Sequence, residues 1–506
     1  MCTNSLLELS GWKEDQELTL LLSLLPKDAA PSSKTFAAAR PDRLDWARLL
    51  RLAEHHRVVP LVYLQLKKAN YPLIPAELLR SLQAQYHRNT LRMLYLQAEA
   101  ERLTRLLMAR GIRVLILKGP ALAQQLYGDV SLRTSSDIDL LIAPNDMDDA
   151  EHWIQEAGYE SKSGAARVLG SWKWKDHHIS FLHPHKRVEV ELHWRLHPDA
   201  GGEPSFDELW SRRQFIESSG VKWRVQPASA DDRTVMTTCT YTLGREHQFL
   251  YLSAHGARHG WVTLRWLVDI DRLAACALDW EALPLLMRRY GGLPAGGQAC
   301  TLAAALLGTP IPEPLRPIAA TRQAHRLALS ALAFIQVSVP VSHPVSGPGA
   351  NGTAASKHSQ NMALTQPVET APSDGGASVG SAVVGGAFGE AALRALSVAA
   401  GTAKDASSAT SNTVNTAVSC IARSTTSAAA AVSGPAVAGA TAVTPHPISR
   451  AYLLALKEPR YRLLYFISRL FPSTSDPAML PLPRKLHFLY IPLHPLLWLK
   501  RRFSKH

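Results

Sequence analysis

Residues 137–142 read Asp-Ile-Asp-Leu-Leu-Ile, a pattern that fits a β-strand with one face in a core. Side chains two apart on a strand share a face, so Asp137 and Asp139 project together while Ile138 and Leu140 point inward. Two carboxylates held this close repel unless something positive sits between them. A divalent cation resolves the repulsion, and Mg²⁺ accepts one or two carboxylates while keeping positions for phosphate oxygens. The chain therefore has to supply a sheet for this strand and a partner for its charge.

The flanking sequence supplies both. Ile112–Leu117 is a compact apolar run ended by Lys118-Gly119-Pro120, which is how a buried strand meets a turn, and a helix from about Ala121 to Tyr127 follows. The polar stretch Arg133-Thr-Ser-Ser136 leads into the acidic strand, which Pro144 and Asn145 end, and a helix to about Ala157 runs into Gly158. Two more strands are expected over His178–His183 and Arg187–Trp194, joined as a hairpin at Pro184-His185-Lys186. On the second, Glu189, Glu191 and His193 share a face. Glu191 is the third carboxylate expected to join Asp137 and Asp139, allowing in-line transfer of a phosphoryl group between two metal ions.

The fold class this implies is α+β, a small mixed sheet between helical segments. Residues 1–110 are expected to be helical, with a long helix from about Pro75 to Arg110 that Gly111 ends. The core is placed at 111–230 and a second helical part at 231–336, with helical periodicity from about Asp231. Residues 337–449 are rich in Ala, Ser, Thr and Gly and hold eight charged residues, too few apolar anchors to offset the entropy of ordering. They are expected to form a disordered low-complexity insertion. Residues 450–506 return to helical spacing.

The net charge of +13 is concentrated in 450–506, where eleven Lys and Arg oppose only Glu458 and Asp476. This basic end is a candidate contact for RNA, acidic lipid or a phosphorylated substrate. Tyr490–Arg502 has an apolar body and a basic end, as in helices that lie on anionic membranes. No stretch is expected to span a membrane, the start lacks the features of a secretory signal, and five dispersed cysteines fit a reducing cytoplasm.

Taken together, these pieces resemble the nucleotidyltransferase superfamily of DNA polymerase beta, with its glycine turn, Asp-hydrophobic-Asp strand and later acidic strand. More narrowly they resemble a family of uncharacterised bacterial nucleotidyltransferases. That resemblance rests on Leu117-Lys118-Gly119, Leu126-Tyr127-Gly128, Arg133 with Ser136–Leu141, and Glu191-Leu-His-Trp194. Downstream it extends to His255, His259-Gly-Trp261, Leu264–Asp269 and Phe471-Pro472 through Tyr490. It implies a metal-dependent enzyme that moves a nucleoside monophosphate from an NTP to a hydroxyl acceptor with release of pyrophosphate, using Mg²⁺ or Mn²⁺.

One departure stands out. The superfamily's glycine turn lies closer to the Asp pair and grips phosphate through backbone N–H groups, whereas Gly119 precedes Pro120 and is eighteen positions from Asp137. Phosphate contact then falls to Lys118, Arg133, Ser135 or Ser136 beside Gly119, with His178 and His193 as candidate pocket-lining residues. Zinc ligation by His177, His178, His183 and His185 is disfavoured, since a hairpin alternates their faces and no cysteine joins them. His255, His259, Arg265 and Asp269 are read first as structural. Two competing readings are an enzyme that adenylylates a partner such as a toxin or kinase, and a non-catalytic nucleotide-binding scaffold.

Overall fold

The computed structural model describes residues 15–26, 42–162, 172–198, 202–216, 240–337, 448–468, 471–472 and 475–503. These belong to one compact unit drawn from residues 1–341 and 443–506. Apart from 337 and 448–449, the expected insertion at 337–449 lies outside the described residues.

Four helices come first: α1 (Gln16–Ser23), α2 (Trp46–His55), α3 (Val59–Ala69) and α4 (Ala76–Met108). Asp15 and Asp45 cap α1 and α2, each accepting a hydrogen bond from a backbone N–H of the first turn. With no interior proline or glycine, α4 runs for 33 residues, as its sequence predicts. Its buried positions Met93, Leu96, Ala100, Leu103 and Leu107 recur at three and four, so they form one stripe. That stripe packs in one apolar cluster with Ile138, Leu140, Val188 and Val190, the inward residues of the acidic strand and its neighbour.

The sheet is mixed and seven-stranded, in the order β3-β4-β5-β2-β1-β7-β6. Its strands are β1 (Leu115–Ile116), β2 (Asp137–Leu141), β3 (Glu160–Ser161), β4 (His178–His183), β5 (Val188–His193), β6 (Gln214–Ile216) and β7 (Thr240–Thr242). Helix α5 (Pro120–Tyr127) follows β1, and α6 (Met147–Glu156) follows β2. β4 and β5 form the expected hairpin, while β2 lies parallel to β5. β1 pairs only through Leu115 and Ile116, so it is shorter than the apolar run Ile112–Leu117 that predicts it.

The sheet also passes the boundary expected at 230. Thr240-Tyr-Thr242, expected within a helical part, instead forms β7, in keeping with the preference of β-branched and aromatic residues for strands. Short helices at Trp172–Lys175 and Phe206–Ser211 interrupt the sheet region, and longer helices resume at α7 (Arg245–Arg258) and continue through α8 (Leu264–Ala274) to Arg322–Val337. These helices share an apolar cluster with α1–α3, so the residues before and after the sheet build one helical layer. His56, fully buried, joins them: its Nδ1 accepts from Leu264 N–H and its carbonyl from Arg265 N–H at the start of α8.

At the C-terminal end, Asp476 is buried against His494 and Arg501, and Tyr490 and Leu497 form a small cluster of their own. Part of the basic end is thereby paired internally. Among the described residues, no helix is long and apolar enough to cross a membrane.

Glu99 ties α4 to the hairpin. Its carboxylate accepts from Arg102, from the Tyr159 hydroxyl at 2.8 Å and from Lys186 at 2.8 Å. Burial alone would raise its pKa, but these donors outweigh burial and hold it from 4.5 down to about 2. A depressed carboxylate contributes stability that is present above its unfolded value and lost as pH falls through the folded one. In thermal melts across pH 2 to 6, wild type is expected to exceed Glu99→Gln in Tm most above 4.5, with the gap closing by about 2. A gap that does not change with pH would contradict this.

Candidate active site

The acidic site is built by strand register. Parallel pairing sets Asp137 opposite Glu189, Asp139 opposite Glu191 and Leu141 opposite His193, and paired residues project to one face. With Ile138 and Val190 committed to the core beneath, Asp137, Asp139, Glu191 and His193 gather on the opposite face.

Asp139 is fully buried. Its Oδ1 lies 2.9 Å from Lys118 Nζ and 3.2 Å from His193 Nε2, and the same His193 nitrogen is 3.2 Å from Glu191 Oε2. Burial would raise Asp139, yet Lys118 and His193 outweigh it and hold the carboxyl well below the usual range. The pairing works both ways. Lys118 and His193, which burial would lower, are instead raised, Lys118 chiefly by Asp139 and His193 by its bonds to Asp139 and Glu191. Asp137 behaves differently, because burial and repulsion from Asp139 both raise it, against a smaller opposing pull from Lys118.

Gly119 is close to this strand in space although far from it in sequence. Its φ is +73°, a left-handed conformation that glycine adopts readily, and a Cβ there would sit 3.5 Å from the Asp137 carbonyl and 3.8 Å from Ser135 Oγ. The eighteen-residue separation is therefore taken up by α5 and the loop before β2. Ser135 Oγ lies 3.1 Å from Asp137 Oδ1, donating to it.

The loop over 131–136 is clamped from several sides. Asn89 on α4 donates to the carbonyls of Ser131 and Arg133, at 2.8 and 3.2 Å, and Arg92 donates to that of Ser136 at 3.1 Å. From α8, Arg265 donates to the Thr134 carbonyl, and Asp269 receives Arg133 in a two-pronged bond, Nε to Oδ1 at 3.0 Å and Nη2 to Oδ2 at 3.0 Å. Tyr127 adds a hydroxyl to Asp269 at 2.8 Å. This pair is buried on both sides, with side chains 1% and 0% exposed, so the α8 residues that the sequence marks as structural hold the loop in place.

A cleft of about 320 Å³ opens over the acidic face. Lys118, Arg133, Ser135, Asp137, Glu191, His178 and His193 line it, as do Arg57, Arg258 and Arg265. Ser136 is solvent-exposed and does not line the cleft, and Arg133 reaches the edge while most of its guanidinium is held by Asp269. Arg133 Nη1 has no hydrogen-bond partner in the described structure. His177, Tyr251, His255, His259 and Trp266 also line it. The sequence gives no site role to Tyr251 or Trp266; the 3.6-residue spacing that puts Tyr251, His255, Arg258 and His259 near one side of α7 is the signal that could group them.

Residues 42–308 match the family described as Uncharacterised nucleotidyltransferase, a span of more than half of the 506 residues. The chain belongs to this family. It is a nucleotidyltransferase, and the acidic face with its cationic cleft is the part of the fold whose chemistry fits nucleotidyl transfer. Neither a curated protein nor a solved structure matches the chain.

Nucleotidyltransferases generally use divalent metals, and the site's residues fit one. Asp139 Oδ2 is buried without a hydrogen-bond partner in the described structure, an exception to the rule that buried polar atoms are paired. Asp139, Glu191 and His193 each offer a ligand atom within 4.8 Å of the others.

Asp269→Ala would leave Arg133 charged and buried without its partner. Such a break costs about 3–5 kcal/mol, whereas replacing both partners by apolar residues of similar size is often close to neutral. In urea unfolding, Asp269→Ala is expected to be strongly destabilised, with Arg133→Met/Asp269→Leu recovering most of the loss. Equal loss in the single and double variants would show that the pair is not the anchor of this loop.

Proposed function

We propose that the chain transfers a nucleoside monophosphate from an NTP to a hydroxyl acceptor, with Asp137, Asp139 and Glu191 as its catalytic carboxylates and Mg²⁺ or Mn²⁺ as its cofactor. The observation that carries this reading is the register placing Asp139, whose buried Oδ2 has no partner in the described structure, directly opposite Glu191 beside a cleft lined by Lys118 and four arginines, Arg57, Arg133, Arg258 and Arg265. A bound divalent ion would supply charge stabilisation at the transferred phosphoryl group.

The protein's own residues have distinct parts. Asp139 and Glu191, with Asp137 beside them, would hold the ion. Asp137 opens onto the cleft beside the ion and would take the proton of the attacking hydroxyl. As the acceptor oxygen bonds to the α-phosphorus, the bond to the β-phosphate oxygen breaks and pyrophosphate departs. Lys118, Arg133 and Ser135 along the cleft, with the Gly119 turn beside them, would grip the phosphates, and His178 and His193 would line the pocket. A cytoplasmic site of action accords with the dispersed cysteines, of which Cys276 and Cys300 are free.

A scaffold that only binds nucleotide has less support. Asp137, Asp139 and Glu191 repel one another in this arrangement, a cost that a non-catalytic fold would gain nothing by keeping.

The test is incubation with each NTP labelled at the α-phosphate, with Mg²⁺ or Mn²⁺ and a cell lysate. Label is expected to enter an acceptor with wild type and to fall by at least about a hundredfold with Asp137→Ala or Asp139→Asn, the scale for removing one group that stabilises the transition state. Label on a protein would identify the acceptor as a side chain. Equal labelling by wild type and Asp139→Asn would end this reading.

A further inference from the structure

Beside the carboxylates, the cleft holds a cluster of imidazole donors. His177 immediately precedes β4, His178 begins it, and β4–β5 register sets His178 directly opposite His193. The three imidazoles pack together, with ring centroids 4.2 Å apart for His177 and His178, 4.9 Å for His178 and His193, and 5.5 Å for His177 and His193. Each ring offers a nitrogen within 4.8 Å of the others. His193 Nδ1 is buried and has no hydrogen-bond partner in the described structure, and all three rings line the cleft.

We propose that His177, His178 and His193 form a nitrogen-donor site for a borderline transition-metal ion of the Zn²⁺ class, distinct in ligand chemistry from the carboxylate centre. Imidazole suits zinc and its neighbours in the first transition row, whereas Mg²⁺ is a hard cation that prefers oxygen. Three protein ligands leave one tetrahedral position open, the pattern of zinc sites that bind water or substrate, while purely structural sites are closed by four. All three rings line the cleft, so water or substrate in it would be within reach of such an ion. Glu191 borders both centres, its Oε1 lying 3.7 Å from His178 Nε2 and its Oε2 3.2 Å from His193 Nε2.

The hairpin explains why only part of the sequence's histidine cluster takes part. His183 lies at the far end of β4, in ring contact with Tyr159 and His185, and neither His183 nor His185 lines the cleft. The missing third donor comes instead from β5. His193 is ten or more residues away in sequence from the other two, so no spacing rule for zinc ligands along a chain marks the set.

The site binds its ion whether or not the cleft transfers nucleotides, so it is tested on metal alone, using the full-length protein stripped of metal. Titration with Co²⁺ is expected to show one equivalent with the intense visible absorption of a low-coordinate site, displaced by Zn²⁺ and unaffected by excess Mg²⁺. His177→Gln and His178→Gln are expected to weaken Co²⁺ binding by at least about tenfold, the scale at which even outer partners of a ligand act. Asp137→Asn is expected to leave the absorption unchanged. X-ray absorption of the Zn²⁺-loaded wild type needs no variant to fold, and three imidazole nitrogens at about 2.0 Å are expected. No Co²⁺ binding, binding that Mg²⁺ competes away, or fewer than two imidazoles at the zinc overturns the proposal. Failure of the labelled-NTP test with these results intact would count against nucleotidyl transfer and leave the metal site standing.

Discussion

Everything in the site follows from a parallel pairing of two short strands. β2 and β5 meet in a register that sets Asp139 beside Glu191, and both strands press Ile138, Leu140, Val190 and Leu192 into the core on the other side. A slip of one residue would turn each strand over, burying the carboxylates and exposing the apolar residues. The register is therefore specified by the core, and the acidic face inherits its geometry from it. Carboxylate convergence, usually costly, is here a by-product of hydrophobic packing.

The cost is met by charge from other elements. Lys118 arrives at the end of β1 and His193 at the end of β5, and together they neutralise the most deeply buried acid, Asp139. The loop leading into β2 could not hold this arrangement alone. Asn89 and Arg92 from α4 and Arg265 and Asp269 from α8 bind its backbone and its arginine, so helices on both sides of the sheet set the position of Asp137. The helical segments thus belong to the site as much as the sheet does.

Much of this could be read from the sequence where a local pattern carried the information. The alternation of Asp137–Ile142, the uninterrupted helix 76–108 and the hairpin over 178–193 all follow from periodicity and turn residues. What could not be read depended on distance. β7 is three residues long and gains its identity by pairing with β6 and β1, and Arg133 is anchored by an aspartate 136 positions later. His255 and His259 belong to the cleft because of where α7 packs, and their helical spacing marks a shared side without saying what that side faces. Gly119 is the converse case, where a separation along the chain that argued against a role disappears in three dimensions.

The central claim is that Asp139 and Glu191 bind a divalent ion together with a triphosphate. Calorimetric titration with a non-hydrolysable NTP analogue, run with and without Mg²⁺ on wild type and on Glu191→Gln, tests it most directly. Tight binding is expected only for wild type with Mg²⁺ present. Affinity that is the same without metal, or that Glu191→Gln leaves unchanged, would contradict it.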